Sequence, residues 1–307
     1  QPLRVGLIGC GGISRAHMRA YRSRQEVSLE LVCDPNREAA AGAASAAGLS
    51  PDRVLTDWEA AVRSDLIDAV DICVPHYMHA EIAVGALNAG KHVLVEKPMA
   101  CTLDECRRMV AAAEAAGRRL MVAQCQRYNP SYLGVKQLVD SGELGTLRAI
   151  RFDAMQNLPE IVPKGHWLFD GRLAGGGIVI SVAVHRIDLV RFIAGDIRRV
   201  NAITRTSRPD LFTNGAEDYC VATLEFENGA VGEMFCTYAG FRMPYSESFM
   251  IFGDKGAVHA LPEAGHAQGP AFVASTARDM RPAEKKGWGG QFVGFSPVTP
   301  SSGGYPT

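Results

Sequence analysis

The chain has 307 residues, about the length of two average domains. Lys and Arg total 32 and Asp and Glu total 33, so the net charge of −1 lacks the basic excess typical of nucleic-acid-binding proteins. Hydrophobic residues make up 47% of the chain and charged residues 21%, which excludes an intrinsically disordered protein. No uninterrupted apolar run reaches about 18 residues, so the sequence predicts no transmembrane helix.

In the first 125 residues, short apolar segments alternate with helical patterns. Strands are predicted at 3–9, 28–33, 69–74, 92–96 and 120–123, and helices at 11–22, 37–47, 78–89 and 103–116. This alternation predicts a doubly wound α/β domain over residues 1–125, with a parallel sheet covered by helices on both faces.

After residue 125 the pattern changes to that of an α+β domain. Helices are predicted at 130–141 and 178–193, and strands at 147–154, 200–206, 219–227, 230–238, 247–252 and 257–261. Turn signals at 227–229 and 253–256 indicate hairpins, so residues 126–307 are expected to form an open, mainly antiparallel sheet. Residues 261–307 contain eight Gly and six Pro, a composition typical of loops or poor order, and we expect the C-terminus to be incomplete.

Cysteine and histidine spacings do not indicate a metal site. The eight cysteines are irregularly spaced without a CxxC pair, which favours free thiols in a reducing, cytoplasmic location. His76 and His79 form an H-x-x-H pair, but no third ligand stands at a recognisable spacing. The histidines outside the motifs, such as His17, have no supporting neighbours in the sequence.

The segment Gly9-Cys10-Gly11-Gly12-Ile13-Ser14 follows a predicted strand and opens a predicted helix. In that context Gly9 permits a tight turn, and Gly11 lets the backbone approach a pyrophosphate at the helix N-terminus. Asp34 ends the second strand, where a carboxylate binds an adenine-ribose hydroxyl, which favours NAD. Arg37 could offset the repulsion of a 2′-phosphate, so NADP stays possible.

Two further groups of polar residues carry candidate chemistry. Glu96-Lys97-Pro98 follows a strand, and Lys97 could orient a hydroxyl or act as an acid; the alternative is a solvated lysine paired with Glu96. The helix after a run of three glycines places Ser181, His185 and Asp188 on one stripe of an apolar helix. His185 is therefore a candidate proton acceptor, or else a core histidine satisfied by Asp188 or the backbone.

Together these motifs resemble the Gfo/Idh/MocA oxidoreductases, the relatives of glucose–fructose oxidoreductase and inositol dehydrogenase. The resemblance rests on the glycine loop, Asp34, 74–79, 96–98, 126–130, Trp167, 175–177, His185, Asp188, 217–218 and 253–256. It implies a Rossmann domain, an α+β domain whose open sheet often supports oligomers (here a homodimer or homotetramer), and hydride transfer between NAD(P) and a sugar, cyclitol or related polyol.

The resemblance also assigns residues. It implies catalysis by Lys97 and His185. It implies a cofactor site at Gly9, Gly11, Gly12, Ile13, Asp34, Arg37, Val74, Pro75, His76, His79, Glu96 and Lys97. It implies a substrate site that includes Arg127, Tyr128, Asn157, His166, Ser181 and His185.

One departure keeps other functions open. Family members often carry Asp four residues before the histidine, where this chain has Ser181, and a hydroxyl cannot serve as a carboxylate base. The alternatives to a dehydrogenase are therefore a redox-neutral, NAD-dependent glycosidase-type enzyme and a cofactor-binding sensor or repressor without turnover.

Overall fold

The protein is described by a computed structural model that covers residues 1–240, 246–261, 271–275 and 296–297. It divides into two compact units, one of residues 1–123 with 170–176 and one of residues 124–169 with 177 onward. The segment Asp170–Gly176 thus returns to the first unit, a feature that a single division between residues 125 and 126 does not include.

The first unit is a parallel six-stranded sheet flanked by helices. Its strands are β1 (Leu3–Ile8), β2 (Val27–Cys33), β3 (Val54–Leu55), β4 (Ala69–Ile72), β5 (His92–Val95) and β6 (Leu120–Val122). Its helices are α1 (Ser14–Arg22), α2 (Arg37–Ala47), α3 (Trp58–Arg63), α4 (His79–Asn88) and α5 (Leu103–Ala116). The strand order β3-β2-β1-β4-β5-β6 is that of dinucleotide-binding α/β folds, so the predicted fold class is confirmed.

Local signals set the ends of the best-predicted helices. The side chain of Asn36 accepts hydrogen bonds from the first turn of α2, and Gly48 ends that helix with a positive φ of 73°. Thr102 and Glu105 form a reciprocal capping box at the start of α5. Both helices have the predicted bounds, whereas β3 and α3 were not predicted because two and six residues carry too little periodicity.

The second unit is built on an eight-stranded sheet. Its strands are β7 (Leu147–Met155), β8 (Ile197–Arg205), β9 (Tyr219–Phe226), β10 (Val231–Thr237), β11 (Ser246–Gly253), β12 (Ala257–Leu261), β13 (Ala271–Ser275) and β14 (Ser296–Pro297). The remaining helices are α6 (Pro130–Asp140), α7 (Leu158–Ile161), α8 (Gly171–Ala174, in the segment returning to the first unit) and α9 (Val184–Ala194). Within the described strands of this second sheet, only the pair β7–β10 is parallel, so the mainly antiparallel sheet is confirmed.

The strands β13 and β14 correct part of the expectation for residues 261–307. β13 pairs with β12 and with β14, so the sheet extends into a region that was predicted to form loops. Loops were predicted because the high Gly and Pro content outweighed two short strand signals. The rest of that prediction, at 262–270, 276–295 and 298–307, lies outside the described residues.

One face of the second sheet carries the core of this unit and the other face is open. Phe152, Phe249 and Leu224 point to the core, where they pack against Ile193 of α9. On the opposite face, alternate residues of the same strands, such as Val221, are exposed. The period-2 alternation in the sequence thus distinguishes a packed face from an open face.

The stretch Gly171–Ala194 has the length and hydropathy of a membrane span, although charged residues interrupt its apolar run. It is not one continuous α-helix, because 175–177 are not helical and Val179–Ala183 form a π-helical turn. Leu189 and Ile193 are buried in the core of the second unit, and a core helix of a globular protein meets the same criteria. Core packing therefore accounts for the apolar character of this stretch.

Replacing Gly177 by alanine is expected to destabilise the second unit. An alanine Cβ there would stand 1.8 Å from the main-chain oxygen of Glu217, so the backbone would have to move. We expect Gly177→Ala to lower the free energy of unfolding by about 1–3 kcal/mol in urea titrations. The matched control is Gly42→Ala on the open side of α2, which should raise it by about 0.5–1 kcal/mol; equal stabilities of the two variants would contradict the steric argument.

Candidate active site

The glycine loop of the first unit combines one packed glycine with two open ones. Gly9 has a positive φ of 94°, and a Cβ there would stand 2.3 Å from the main-chain oxygen of Cys73. A Cβ on Gly11 or Gly12 would have no heavy atom within 4 Å among the described residues. Gly9 is thus required by the protein's own packing, and the other two leave space in front of the loop.

That space suits a pyrophosphate. It adjoins the N-terminus of α1, whose first turn has no acidic residue and whose N-cap, Ile13, makes no side-chain capping bond and is half exposed. The hydroxyl of Ser14 donates to the Gly11 carbonyl at 2.7 Å, which holds the loop against the helix. The unsatisfied N–H groups and the positive end of the helix dipole would attract the phosphates of a dinucleotide.

Asp34 connects the loop to the end of β2. Its Oδ2 accepts the N–H of Cys10 at 2.8 Å, and its Oδ1 accepts the N–H of Asn36 at 2.9 Å. Each carboxylate oxygen has a second acceptor position that a ribose hydroxyl could use. Arg37, the first residue of α2, is exposed beside it. The residues fit a nicotinamide adenine dinucleotide.

The loops after β4 and β5 hold the predicted nicotinamide-side residues. The buried ring of His76 faces the carbonyl oxygen of Ala174 through Nδ1 at 2.9 Å, and burial lowers the pKa of this histidine to about 3. His79 is fully buried, with Nδ1 at 2.7 Å from the Pro98 carbonyl oxygen and Nε2 at 2.9 Å from that of Val74. His79 therefore joins the two loops through their backbones, and Pro75 precedes it in the first of them.

Lys97 lies just after the end of β5, in a segment whose backbone is held by hydrogen bonds. The carboxylate of Glu96 accepts the main-chain N–H of Lys97 at 3.0 Å, and the following Lys97–Pro98 peptide bond is cis. The ring of His17 faces the other oxygen of Glu96 at 3.0 Å. His17 was dismissed because its partners lie far away in the sequence, and the structure corrects that interpretation.

In the second unit, His185 has a defined partner. Its Nδ1 lies 3.0 Å from the amide oxygen of Gln124, which can only accept, so Nδ1 carries the proton in the neutral ring. The lone pair of the neutral ring is then on Nε2, the form suited to accept a proton. Gln124 was not found from the sequence, because a glutamine 61 residues away gives no local signal.

The N-terminus of the helical segment that carries His185 is capped by a glutamate side chain. The carboxylate of Glu217 accepts the N–H groups of Gly177 at 2.8 Å and Val179 at 2.9 Å. These groups lack partners inside the helix, and a carboxylate at this end also complements the helix dipole. The chain then passes through the π-helical turn 179–183, a feature frequent at functional sites.

The predicted stripe of polar residues is divided among different partners. Asp188 receives two hydrogen bonds from Arg127, at 2.6 and 2.5 Å, whereas the ring of His185 bonds to Gln124. Ser181 is 2% exposed, and its side chain lies close to that of Tyr238. Ser181 lies in the π-helical turn and His185 in the regular helix that follows it, so the predicted stripe does not run along one uniform α-helix.

The other predicted substrate residues are spread over the second unit. Asn157 is buried, and its Nδ2 makes no hydrogen bond to the part of the chain that the structure describes. Tyr128 is half exposed, and His166 packs against Trp167 with ring centroids 5.4 Å apart. Burial lowers the pKa of His166 below its usual value. Their assignment to a substrate site stays a prediction.

Arg186 was missed by the sequence analysis although it is 1% exposed. It donates to the amide oxygen of Gln126 at 2.7 Å and to the hydroxyl of Tyr132 at 2.5 Å, and it forms an ion pair with Glu247. This network joins α9 to α6 and β11. An arginine inside an apolar helix was the available signal, since a buried charge requires partners.

Substitutions of Gly9 and Gly11 are expected to have different effects. Gly9→Ala is expected to lower the melting temperature, because the Cβ meets backbone. Gly11→Ala should leave the melting temperature unchanged and weaken NADH binding by roughly tenfold or more, because the Cβ takes up ligand space at a cost of about 1–3 kcal/mol. Thermal unfolding and NADH fluorescence titration of both variants measure this; unaltered NADH affinity in Gly11→Ala would contradict the placement of the pyrophosphate.

Known proteins share this architecture. The chain is 30% identical to levoglucosan dehydrogenase of Pseudarthrobacter phenanthrenivorans over 84% of its own length and 73% of that protein's. It is 31% identical to D-apiose dehydrogenase of Paraburkholderia graminis over 76% of its length and 60% of that protein's. A solved structure of levoglucosan dehydrogenase with NADH and levoglucosan superposes with a TM-score of 0.85 at 28% identity, covering 97% of this chain and 80% of that one.

Family models match both halves of the sequence. Residues 3–124 match the "Oxidoreductase family, NAD-binding Rossmann fold", and residues 132–259 match the "GFO/IDH/MocA C-terminal domain". The predicted family, NAD cofactor and enzyme class are therefore confirmed. With its glycine loop, its Asp34 and its Glu96-Lys97-Pro98 segment, the chain belongs to the Gfo/Idh/MocA family of NAD(P)-dependent oxidoreductases.

Proposed function

We propose that this protein oxidises a ring hydroxyl of a sugar, anhydrosugar or cyclitol to a ketone. The observation that carries the proposal is the hydrogen bond from His185 to Gln124, because it fixes the ring in the form that accepts a proton through Nε2. The substrate class is supported by relatives named for levoglucosan and D-apiose. A catalytic histidine of this kind contributes a factor of about 10²–10⁴ to the rate.

We assign a separate role to each catalytic residue. His185 takes the hydroxyl proton at Nε2, and the role of the Lys97 ammonium is to donate a hydrogen bond that stabilises the negative charge growing on the substrate during the reaction. When bound, NAD supplies the acceptor for the hydride that leaves the same carbon. The fixed main chain at Glu96 limits the positions that Lys97 can take.

The serine at position 181 is compatible with this chemistry. Ser181 is buried against Tyr238, and the partner of His185 is the amide of Gln124. An amide oxygen orients the ring as a carboxylate would, but adds no negative charge to stabilise the imidazolium. We therefore propose a base that is oriented by a neutral group.

NAD is the proposed preferred cofactor. The carboxylate of Asp34 is fixed by two main-chain N–H groups and cannot turn away, so it would repel the 2′-phosphate of NADP. Arg37 is exposed next to it and could reduce that repulsion, which leaves NADP as the weaker alternative. The cytoplasmic location stays a prediction.

The first test is NADH absorbance during incubation of the protein and NAD with sugars, anhydrosugars, inositols and sugar acids, with NADP in parallel. We expect turnover with one compound class and NAD. His185→Ala and Lys97→Ala should each lower kcat by at least about 10² while NADH still binds. Gln124→Leu should lower kcat by about tenfold or more, because the ring loses its orientation.

His92→Gln is the matched control. His92 lies at the start of β5, where its ring accepts the main-chain N–H of Arg119, and it takes no part in the proposed chemistry. Near-normal turnover in both His185→Ala and Lys97→Ala would refute the mechanism. NAD binding without net NADH from any compound would instead favour the redox-neutral glycosidase-type enzyme. NAD binding with no product at all would favour the sensor or repressor.

The open face of the second sheet supports a homodimer or homotetramer. Exposed apolar side chains from four strands share this face: Ile203, Val221, Val231 and Phe252. Exposed apolar side chains on an open sheet face are typical of protein interfaces, and the same face of a second copy would be self-complementary to it.

Val221→Arg is expected to convert the oligomer to monomers, because it places a charge among the exposed apolar side chains of the open face. Sedimentation velocity of the wild type and the variant measures the change. Leu103→Arg on α5 is the control, since it changes another exposed apolar residue outside this sheet and should leave the oligomer intact. A monomeric wild type, or an unchanged Val221→Arg oligomer, would argue against this interface.

A further inference from the structure

A buried group of ionisable side chains lies under the nicotinamide-side loops of the first unit. His17 of α1 has its Nδ1 2.8 Å from a carboxylate oxygen of Asp71 on β4 and its Nε2 3.0 Å from Glu96 after β5. Asp71 is fully buried, and the side chains of His17 and Glu96 are about nine-tenths buried. The hydroxyl of Tyr21 donates to the same oxygen of Asp71 at 2.5 Å.

The hydrogen-bond pattern defines the charge of this histidine. An ionised carboxylate can only accept, so a ring that faces two carboxylates must donate from both nitrogens, which requires the imidazolium form. Each carboxylate also receives another donor, Tyr21 at Asp71 and the main-chain N–H of Lys97 at Glu96, and extra donors favour the ionised acid.

The surrounding charges agree with this pattern. Burial opposes the charge on His17, but its hydrogen bonds to the carboxylates of Asp71 and Glu96 raise its pKa to about 12. Burial likewise opposes ionisation of Glu96, but the hydrogen bond from His17 and the charge of Lys97 lower the pKa of Glu96. The imidazolium thus stabilises two buried carboxylates that would otherwise repel each other.

We propose that His17 is a positioning residue that stays charged between Asp71 and Glu96 and, through Glu96, fixes the backbone from which Lys97 reaches the substrate. Glu96 has two carboxylate oxygens, and one is held by His17 while the other holds the N–H of Lys97. His17 also belongs to the helix that starts at the glycine loop. The effect of His17 on catalysis rests on the proposed function of Lys97.

A metal ion is the competing explanation for this cluster. Ligand atoms of His17, Asp71 and Cys73 lie within 4.8 Å of one another. A metal would need the lone pair of Nδ1, but that nitrogen donates its proton to Asp71. The pKa of the Cys73 thiol is raised by burial to about 12, so it is not a ready thiolate ligand. Hydrogen bonding within the cluster accounts for its geometry.

The charge is tested on the wild-type protein by ¹⁵N NMR of the histidine rings, with His17 assigned from the spectrum of His17→Gln. At pH about 8.5, where an ordinary histidine is neutral, we expect His17 to keep two ring N–H groups. His92, which accepts an N–H through Nδ1, should show at most one. A single N–H on His17, or titration near pH 6.5, would overturn the charged state, and this readout requires no substrate.

The positioning role is tested by the kinetics of His17→Gln. Glutamine cannot bridge both carboxylates or carry the charge, so kcat should fall about 10- to 100-fold, while KM and the Kd for NADH change by less than about threefold. A merely structural role would lower the melting temperature and leave kcat per folded enzyme unchanged. Such a result would overturn the proposal.

Tyr21→Phe provides a milder variant if His17→Gln does not fold. It removes one donor from Asp71 and leaves the ring in place, so a smaller fall in kcat is expected, and unchanged kcat would count against the network. His92→Gln is again the control for any loss of stability in this unit. If the wild type turns over no substrate, the proposed function fails, while the NMR result still decides the charge of His17.

Discussion

Carboxylates that accept main-chain N–H groups are the interaction on which the candidate site depends. Asp34 holds the glycine loop through the N–H of Cys10, Glu96 holds the N–H of Lys97, and Glu217 holds the first N–H groups of the helix that leads to His185. In each case a loop or helix end would otherwise leave polar groups unsatisfied. A charged acceptor makes such a bond shorter and stronger, so the backbone near each functional residue has little freedom.

Burying carboxylates close together has an electrostatic cost, and nearby cationic side chains offset that cost. Two carboxylates as close as Asp71 and Glu96 would be costly in a buried site, and His17 lies between them with one nitrogen on each. The carboxylate of Asp188 is matched by a two-point hydrogen bond from Arg127. Fixed charge pairs of this kind give a polar environment that need not rearrange during a reaction.

Under the proposed function, this arrangement would preserve the family chemistry although Ser181 stands where family members often carry Asp. A general base requires an orienting partner more than it requires a particular partner, and the amide oxygen of Gln124 hydrogen-bonds to the ring of His185. Ser181 lies in the π-helical turn, and His185 lies in the regular helix that follows it. Fold and cofactor therefore constrain the function more than any single side chain does.

The sequence by itself determined the features that arise from neighbours along the chain. The strand–helix alternation, the Asn36 and Thr102 caps, and the Gly9 turn next to an acid at position 34 all act within one or two elements. They were sufficient for the fold, the family and the cofactor.

Only the tertiary structure decided the pairings across the chain. His17 lies 54 residues from Asp71 and 79 from Glu96, and Gln124 lies 61 from His185. Such partners meet because parallel strands end at the same edge of a sheet, or because a helix packs over a loop, and neither relation leaves a periodic signal in the sequence. The sequence does not show these pairings because local backbone preferences act over only a few residues along the chain. The protonation and orientation of a buried group depend instead on all the groups around it in space.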